Sequence, residues 1–493
     1  MKYVSTRNSA LDITAAQAIA QGLAPDGGLF MPDLIPILTS EELSALGKMD
    51  YRGRAANIMG RFLEDFSKEE IKNYVNQSYA ENFSDSAIAP LRSYDGNTAF
   101  LELWHGPTSA FKDMALQILP RLLTASLRKT GEEREVCILV ATSGDTGKAA
   151  LEGFKDVSGT KILVFYPRDG VSDVQRLQMV TQEGTNVSVC AVNGNFDDAQ
   201  TGVKAIFNDR QFAETISERG YMFSSANSIN WGRLLPQIVY YFSSYCDYAN
   251  RGAIEYGDDV NFCVPTGNFG NILAGWYARE MGLPVKRLIC ASNRNNILTD
   301  FINTGIYDKH RDFYTTVSPS MDILISSNLE RLLFAMVRDS DVVKGYMESL
   351  SDNGFYEFAA DCREKMGECF VGGYCGDDET KQEIARVYGE RGYLIDTHTA
   401  VASKVLKDYR ENSGDVTPAI VVSTASPYKF ADSVLEALGK SAGMGGSELI
   451  RALEEVTGTI SPKPLQSLEN RQIRFEGCEE KDALIKVVDA FLQ

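Results

Sequence analysis

Short apolar runs alternate with longer helix-like stretches over most of the chain after about residue 95. Apolar runs bounded by turn residues predict buried strands, and the stretches between them predict helices. The strands predicted in this way are Val136–Val140, Lys161–Tyr166, Val187–Val192, Val260–Val264, Arg287–Ala291 and Ala419–Val422. The alternation is typical of an α/β fold in which helices cover a mostly parallel sheet and ligands bind at the carboxyl ends of strands.

The first 95 or so residues lack this alternation and contain the turn-rich segment P-D-G-G-L-F-M-P at 25–32. They predict a separate helical N-terminal domain that ends near residues 93–97. Between about residues 293 and 373 the chain turns polar, with apolar positions at helical spacing in 329–336, which predicts a large helical insertion. The length of 493 residues agrees with two or three domains.

The charge balance excludes several classes of partner. The chain has 67 acidic and 49 basic side chains, a net charge of −18, which argues against nucleic acid or an anionic membrane as a partner. No apolar run approaches the ~18 residues of a membrane span, and the start of the sequence lacks a secretory pattern, so we expect a cytoplasmic location. An anionic substrate would need a local basic or amide-rich site.

The cysteines and histidines offer little material for metal chemistry. The nine cysteines are an odd number and form no Cys-x-x-Cys pair, which predicts reduced core thiols. The loose cluster at Cys362, Cys369 and Cys375 is widely spaced and has no neighbouring histidine, so buried thiols are favoured over a zinc site. With only three histidines in the chain, we predict no metal, and a cofactor would supply the missing chemistry.

A lysine stands where a turn becomes a helix. The segment W-H-G-P-T-S-A-F-K-D at 104–113 is turn-rich and is followed directly by the helix-like 114–117. The helix dipole and a partly desolvated pocket both lower the pKa of an amine, as a Schiff-base lysine requires, so Lys112 is a candidate for that role. On this segment alone, a solvated surface lysine is an open alternative.

Two further segments have the order strand, glycine turn, helix. In A-T-S-G-D-T-G-K-A-A at 141–150, backbone N–H groups and the hydroxyls of Ser143 and Thr146 suit a carboxylate or phosphate, although an ordinary capped turn is the alternative. The segment V-P-T-G-N-F-G-N-I-L-A-G at 264–275 lacks the nucleotide and dinucleotide signatures and fits a small phosphate monoester. Gly267 and Gly270 would let its backbone close around phosphate oxygens.

A fourth segment, V-S-T-A-S-P-Y-K-F at 422–430, ends a strand in hydroxyl residues that could contact a ligand or cap a helix. These four segments, together with S-A-N-S-I-N-W-G-R at 225–233, resemble the fold-type II pyridoxal-phosphate enzymes, specifically the bacterial and fungal branch of the threonine synthase family. Family-like segments also occur at 26–29, 320–323, 327–331 and 396–401, so the resemblance covers nearly the whole chain.

The resemblance implies a tryptophan synthase β-like fold with two open, parallel-type α/β domains behind the N-terminal domain, residues 1–95. The large domain would comprise 96–135 and 231–493, and the small domain 136–230. The implied cofactor is pyridoxal 5'-phosphate, held by Lys112 as a Schiff base. The residues implied to bind it are Lys112, Gly267, Asn268, Phe269, Gly270, Asn271 and Thr424. Those carried over for the substrate are Ser143, Gly144, Asp145, Thr146, Asn230 and Arg233.

The implied reaction converts O-phospho-L-homoserine and water into L-threonine and phosphate, with Lys112 as the first candidate for the proton transfers. The alternatives are a related phospholyase or dehydratase that releases a 2-keto acid, and a catalytically silent homologue that binds the cofactor. A monomer is favoured over a dimer. Two residues depart from many relatives: Asp145 stands where asparagine donates to the ring oxygen of the cofactor, and Ser426 stands where histidine is common.

Overall fold

The computed structural model describes residues 1–440, 443 and 445–493. The strands in this part of the chain are β1 (Tyr3–Ser5), β2 (Asn8–Ile13), β3 (Phe30–Pro32), β4 (Leu91–Ser93), β5 (Thr98–Glu102), β6 (Glu135–Ala141), β7 (Thr160–Pro167), β8 (Val187–Asn193), β9 (Tyr221–Ser224), β10 (Val260–Pro265), β11 (Val285–Ser292), β12 (Ile306–Asp308), β13 (Phe355–Glu357), β14 (Phe370–Tyr374), β15 (Ala419–Ser423) and β16 (Cys478–Glu480). All six predicted strands are present, each longer than its apolar run by one to three residues.

Helices connect and cover these strands. They are α1 (Ala15–Gln21), α2 (Ser40–Gly47), α3 (Tyr51–Gly60), α4 (Lys68–Ser78), α5 (Asp113–Leu116), α6 (Leu119–Lys129), α7 (Asp145–Phe154), α8 (Asp173–Val180), α9 (Phe196–Asn208), α10 (Arg210–Glu218), α11 (Trp231–Asn250), α12 (Gly270–Glu280), α13 (Ile297–Thr304), α14 (Leu329–Val337), α15 (Ser340–Asp352), α16 (Ala360–Gly367), α17 (Asp377–Arg391), α18 (Thr397–Ser413), α19 (Ala431–Ala437), α20 (Ser447–Thr457), α21 (Lys463–Gln466) and α22 (Leu484–Phe491). Helices α1, α2 and α4 each begin at a capping box, in which a threonine or serine and a residue three positions later bond each other's backbone.

The larger sheet has six strands in the order β14-β11-β10-β15-β5-β4, all parallel except for β4 at one edge. Every residue of β10 and β15 is buried, as expected for central strands covered by helices on both faces. The loops after β5, β10 and β15 therefore leave the same edge of this sheet. Three of the four candidate segments lie in those loops.

The smaller sheet has five parallel strands in the order β16-β8-β7-β6-β9. Its outer strand comes from the end of the chain, where β16 pairs with β8, and Leu484 and Val488 of α22 pack into the same core as Cys137 and Leu139. The predicted division, which placed all of 231–493 in the large domain, did not anticipate this return. Strand β16 is short and polar, so no apolar run marks it.

The N-terminal segment differs from the helical domain that we predicted. Alongside α1 to α4 it contains the three-stranded antiparallel sheet β2-β1-β3, two of whose strands have only three residues. It also shares its core with the larger sheet, because Trp231 packs against Tyr3, Phe62 and Tyr277 with ring centroids 5.4–5.6 Å apart. The segment is thus packed against α11 and α12, and its buried residues belong to the same hydrophobic cluster as theirs.

The segment from 293 to 373 is partly helical, as predicted, but it also forms strands. It contains α13 to α16, the two-stranded antiparallel sheet β12-β13, and most of β14, which pairs with β11 at the edge of the larger sheet. The nine cysteines are free thiols, eight of them buried, including Cys362, Cys369 and Cys375. Within the described ranges, no helix is long and apolar enough to cross a membrane.

Candidate active site

A cavity of about 420 Å³ opens where the loops after strands of both parallel sheets meet. The smaller sheet contributes the turn after β6. The larger sheet contributes the loop after β10, the end of β15 and the turn before α5. The predicted residues on its wall are Lys112, Ser143, Thr146, Arg233, Gly267, Asn268, Phe269, Gly270, Asn271 and Thr424. The structure therefore brings together most of the residues that the sequence singled out, at the carboxyl ends of strands as α/β folds require.

Lys112 immediately precedes helix α5 and extends into this cavity with a side chain only 12% exposed. Its Nζ lies 3.5 Å from the hydroxyl of Ser320 and 4.0 Å from Oδ2 of Asp145. Burial lowers the pKa of the Lys112 amine to about 8, against the opposing effect of Asp145. An appreciable fraction of the amine is therefore uncharged near neutral pH, as a nucleophilic or basic lysine needs.

Hydrogen bonds from the segment that precedes α14 hold the loop between β10 and α12 in place. The backbone oxygen of Gly267 accepts a hydrogen bond from the Ser326 hydroxyl at 2.8 Å. The backbone oxygen of Asn268 accepts from the backbone N–H of Asn328 at 3.1 Å and from its side-chain amide at 3.0 Å. Phe269 adopts a left-handed backbone conformation with φ 61°, a strained geometry for a bulky residue. These bonds occupy the loop carbonyls and leave its N–H groups as the available donors.

Asn271, in the first turn of α12, lies against two buried tyrosine hydroxyls. Its Oδ1 accepts hydrogen bonds from the hydroxyls of Tyr240 at 2.6 Å and Tyr241 at 2.9 Å. Its Nδ2 is buried and has no partner among the described residues. Because unpaired buried donors are rare in folded proteins, this amide is a candidate hydrogen-bond donor to an anion in the cavity.

The turn between β6 and α7 is held by Thr142. Its Oγ1 accepts the backbone N–H groups of Gly144 at 3.0 Å and Gly147 at 2.9 Å. Gly144 has φ 132°, a conformation that favours glycine. Ser143 and Thr146 line the cavity, whereas Gly144 does not. The hydroxyls and the helix N-terminus of this turn are therefore suited to a small anion such as a carboxylate.

Arg233 is a buried cation on the cavity wall. It is 4% exposed, and its Nη1 donates to the backbone oxygen of Ala226 at 2.6 Å. Its Nε has no partner, and it forms no ion pair with a carboxylate of the described residues. Burial lowers the pKa of the guanidinium to about 10. A buried arginine without an anion is costly, and a phosphate in the cavity would supply the missing partner.

Asn230 and Asp145 were predicted to bind the substrate, but neither lies on the cavity wall. Asn230 caps α11, accepting the N–H of Gly232 at 2.8 Å and donating to the backbone oxygen of Ile19 at 3.0 Å, and it is absent from the cavity wall. Asp145 also lies off the wall. Its Oδ1 is 2.8 Å from Nζ of Lys429. Burial raises its pKa, but the ammonium groups of Lys429 and Lys112 outweigh burial and hold the pKa below its usual range.

Thr424 lies on the cavity wall at the end of β15, and its backbone oxygen accepts the N–H of Phe111 at 2.7 Å. That bond ties the strand end to the turn that carries Lys112. Ser426, two residues further on, is fully buried, and its hydroxyl has no partner among the described residues. Ser426 is not on the cavity wall.

Among the wall residues that were not predicted, His398 and Ser320 contact each other beside Lys112. His398, at the start of α18, has Nδ1 2.8 Å from Oδ2 of Asp396 and accepts the N–H of Ser320 at its Nε2, 3.2 Å away. Ser320 in turn approaches Lys112. The segments that hold these residues were recognised only as family-like, because residues so far apart in sequence meet only in the folded chain.

These features fit a cofactor that carries a phosphate and an aldehyde. A Cβ added at Gly267 would lie 2.6 Å from the backbone oxygen of Ser320, so only glycine keeps the loop in this place. The unpaired donors of Asn271 and Arg233 offer two places for phosphate oxygens. The amine of Lys112 can bind an aldehyde covalently.

Comparison with known proteins agrees with this fit. Residues 93–425 match the family model described as pyridoxal-phosphate dependent enzyme. Residues 2–79 match the model of the threonine synthase N terminus, and residues 399–491 that of the threonine synthase C-terminal region. The fold and the site thus define a pyridoxal-phosphate-dependent enzyme of fold type II.

Three relatives indicate which family of these enzymes the chain resembles. The chain is 42% identical to threonine synthase-like 1 of Homo sapiens. The alignment covers 86% of this chain but only 58% of that protein, so the chain spans little more than half of that relative. It is 39% identical to threonine synthase of Pseudomonas aeruginosa over 92% of both chains. It also resembles the crystal structure of pyridoxal-phosphate-bound threonine synthase from Brucella melitensis, with TM-score 0.88, 37% identity, and coverage of 100% of this chain and 98% of that one.

The chain belongs to the threonine synthase family. The predicted family, fold class and cofactor are therefore confirmed.

Proposed function

We propose that this chain is a threonine synthase that converts O-phospho-L-homoserine and water into L-threonine and phosphate. The observation that carries the proposal is the pairing, in one cavity, of a buried amine, Lys112, with a buried guanidinium, Arg233, that forms no ion pair among the described residues. An amine suits covalent attachment of the cofactor. A guanidinium fork suits a phosphorylated substrate.

The cofactor would be held at three points. Lys112 would bond its aldehyde carbon, the loop 267–271 would surround its phosphate, and the hydroxyl of Thr424, a wall residue at the end of β15, would bond the ring nitrogen. When bound, pyridoxal phosphate acts as an electron sink that makes the protons on neighbouring carbons acidic. The close approach at Gly267 and the free amide of Asn271 support the phosphate position.

Lys112 would also move the protons of the reaction. Once released from the cofactor, Lys112 would be a free amine in the same cavity. A pKa of about 8 lets its Nζ both accept and return a proton near neutral pH. The Ser320 hydroxyl, 3.5 Å from that nitrogen, accepts a hydrogen bond from it, and the Ser320 backbone N–H donates to His398.

The two anionic groups of the substrate would bind at different places. The hydroxyls of Ser143 and Thr146 and the N–H groups at the start of α7 suit the α-carboxylate, and Arg233 suits the phosphate. The phosphate role of Asn230 stays a prediction, and its capping bonds offer that role no support. Asp145, occupied by Lys429, supports neither a contact to substrate nor a donated bond to the cofactor ring.

We further propose that the protein acts as a monomer in the cytoplasm on a small molecule, and not on nucleic acid or membrane. The net charge of −18 supports the last point, because polyanions would be repelled.

Product analysis tests the activity. The protein loaded with cofactor is incubated with O-phospho-L-homoserine, and phosphate, threonine and 2-keto acid are measured together. Equal amounts of phosphate and threonine are expected from the parent and from Lys155→Ala, a surface-lysine control whose side chain is 30% exposed and pairs with Glu183. Lys112→Ala should form neither product. Phosphate accompanied by a 2-keto acid would establish the lyase alternative, and no turnover by the loaded parent would contradict both.

A further inference from the structure

A second buried lysine shares the carboxylate that faces Lys112. Lys429 lies in the short 3-10 helix Pro427–Phe430 after β15, and its side chain is fully buried. Its Nζ is 2.8 Å from Oδ1 of Asp145 and donates to the backbone oxygen of Thr108 at 2.9 Å. It is absent from the cavity wall. Lys429 therefore contacts the active site only through its neighbours.

The two oxygens of Asp145 have different environments. Oδ1 accepts from Lys429 and from Nε2 of Gln175, 2.9 Å away, whereas Oδ2 points towards Nζ of Lys112 at 4.0 Å. A buried carboxylate at that distance favours the charged form of an amine. With Lys112 as its only cation, Asp145 would therefore stabilise a protonated lysine, which can neither bond an aldehyde nor accept a proton.

We propose that Lys429 is a positioning residue for Lys112: it holds and neutralises the Asp145 carboxylate, so that Lys112 can be an uncharged amine in the same cavity. The inference rests on the proposed function, in which Lys112 carries the cofactor. It also explains how the chain tolerates aspartate at position 145, since the carboxylate serves as the partner of Lys429.

The other charged groups around Lys112 each raise or lower the pKa of its amine. After burial, the largest cause of its lowered pKa, Asp145 raises the pKa, and Arg233 and Lys429 lower it. His398 lies on the same wall and is paired with Asp396. Removing Lys429 takes away one cation and leaves Asp145 uncompensated. Both changes favour protonated Lys112.

The test measures how fast the full-length, cofactor-free chain binds pyridoxal phosphate covalently as a function of pH. Binding is followed by visible absorbance, and borohydride trapping with peptide mapping verifies the site. Lys429→Met should raise the midpoint by about one to two pH units and slow binding at pH 7.5 by roughly 10- to 100-fold. Lys429→Arg should stay near the parent, and Asp145→Asn/Lys429→Met should return the midpoint to the parent value or below it.

Lys148→Met is the matched control. Lys148 is equally buried, pairs with Glu152 at 2.9 Å on α7 and is absent from the cavity wall, so its loss should leave the midpoint unchanged. A folded Lys429→Met protein with the parental midpoint would overturn the inference. If that variant does not fold, Asp145→Asn decides: a midpoint below the parent supports the inference, and an unchanged one overturns it. A parent that binds no cofactor at Lys112 would instead refute the proposed function.

Discussion

The donor of Asn271 offers a sharp test of the phosphate position. The hydroxyls of Tyr240 and Tyr241 lie within hydrogen-bond distance of its Oδ1, and its buried Nδ2 has no partner among the described residues. In Asn271→Asp the same hydroxyls would hold one carboxylate oxygen, and the other would replace the donor. The phosphate would lose a hydrogen bond and gain a negative neighbour.

The magnitude follows from these two effects. A charge-assisted hydrogen bond contributes about 1.5–3 kcal/mol. Repulsion between unit charges ~4 Å apart near a protein surface adds up to about 4 kcal/mol. We therefore expect Asn271→Asp to weaken cofactor binding by at least about 3 kcal/mol, roughly 150-fold. Asn271→Leu, which removes only the donor, should weaken it by roughly 10-fold or more.

Equilibrium dialysis in a Lys112→Ala background measures the non-covalent affinity alone. Pyridoxal, which lacks the phosphate, serves as the second ligand, and Asn353→Asp at an exposed helix end is the matched charge control. The loss should affect pyridoxal phosphate and spare pyridoxal. A change of less than about threefold, or an equal loss for both ligands, would refute the assignment of Asn271 to the phosphate.

Three further predictions follow from the same structure. Arg233→Met should raise KM for O-phospho-L-homoserine roughly 100-fold in steady-state assays while leaving Tm nearly unchanged, because this guanidinium forms no ion pair in the described chain; an unchanged KM would remove Arg233 from the phosphate site. Gly267→Ala should weaken cofactor binding in the same dialysis assay, since the new methyl group meets the backbone oxygen of Ser320; unchanged affinity would contradict the close approach. Trp231→Ala should lower the free energy of unfolding by about 3–5 kcal/mol in urea denaturation, because three aromatic rings lose their partner; a loss below about 1 kcal/mol would show that the N-terminal segment is not held there.

The lowered pKa of Lys112 also predicts how stability and covalent cofactor binding depend on pH. Its value in the folded, cofactor-free chain, about 8, lies below the ordinary value of 10.5, so folding favours the neutral amine. The stability that this group contributes is present above pH 10.5 and is lost as pH falls through 8. Covalent cofactor binding should accordingly rise about tenfold per pH unit below 8 and level off above it. A midpoint near 10.5 would contradict the burial of this amine.

The sequence predicted the fold where apolar burial is continuous. Central strands such as β10 and β15 are buried along their whole length, so each is visible in the sequence as a largely apolar run. The shortest strands were missed, because β1, β3 and β16 have only three residues each and β16 carries two exposed glutamates. Their pairing depends on distant partners that local hydrophobicity does not encode.

The residues of the site also fall into two groups, those that the sequence could predict and those that it could not. Lys112 and the loop 267–271 follow strands of the larger sheet, and the turn of Ser143 and Thr146 follows a strand of the smaller sheet, so chain order places each of them at the carboxyl end of its own sheet. The contacts of His398 and Lys429 depend instead on residues far away in sequence, Ser320 and Asp145, and could not be deduced from spacing. The helix-capping bond of Asn230 is a contact that the sequence analysis did not anticipate.

The most direct test of the central claim is the fate of oxygen during turnover in water enriched in the heavy oxygen isotope. If the cavity removes phosphate by breaking a carbon–oxygen bond and then adds water, the label should appear in the hydroxyl of threonine, and the released phosphate should carry none. Labelled phosphate together with homoserine would mean simple hydrolysis of the ester and would contradict the account.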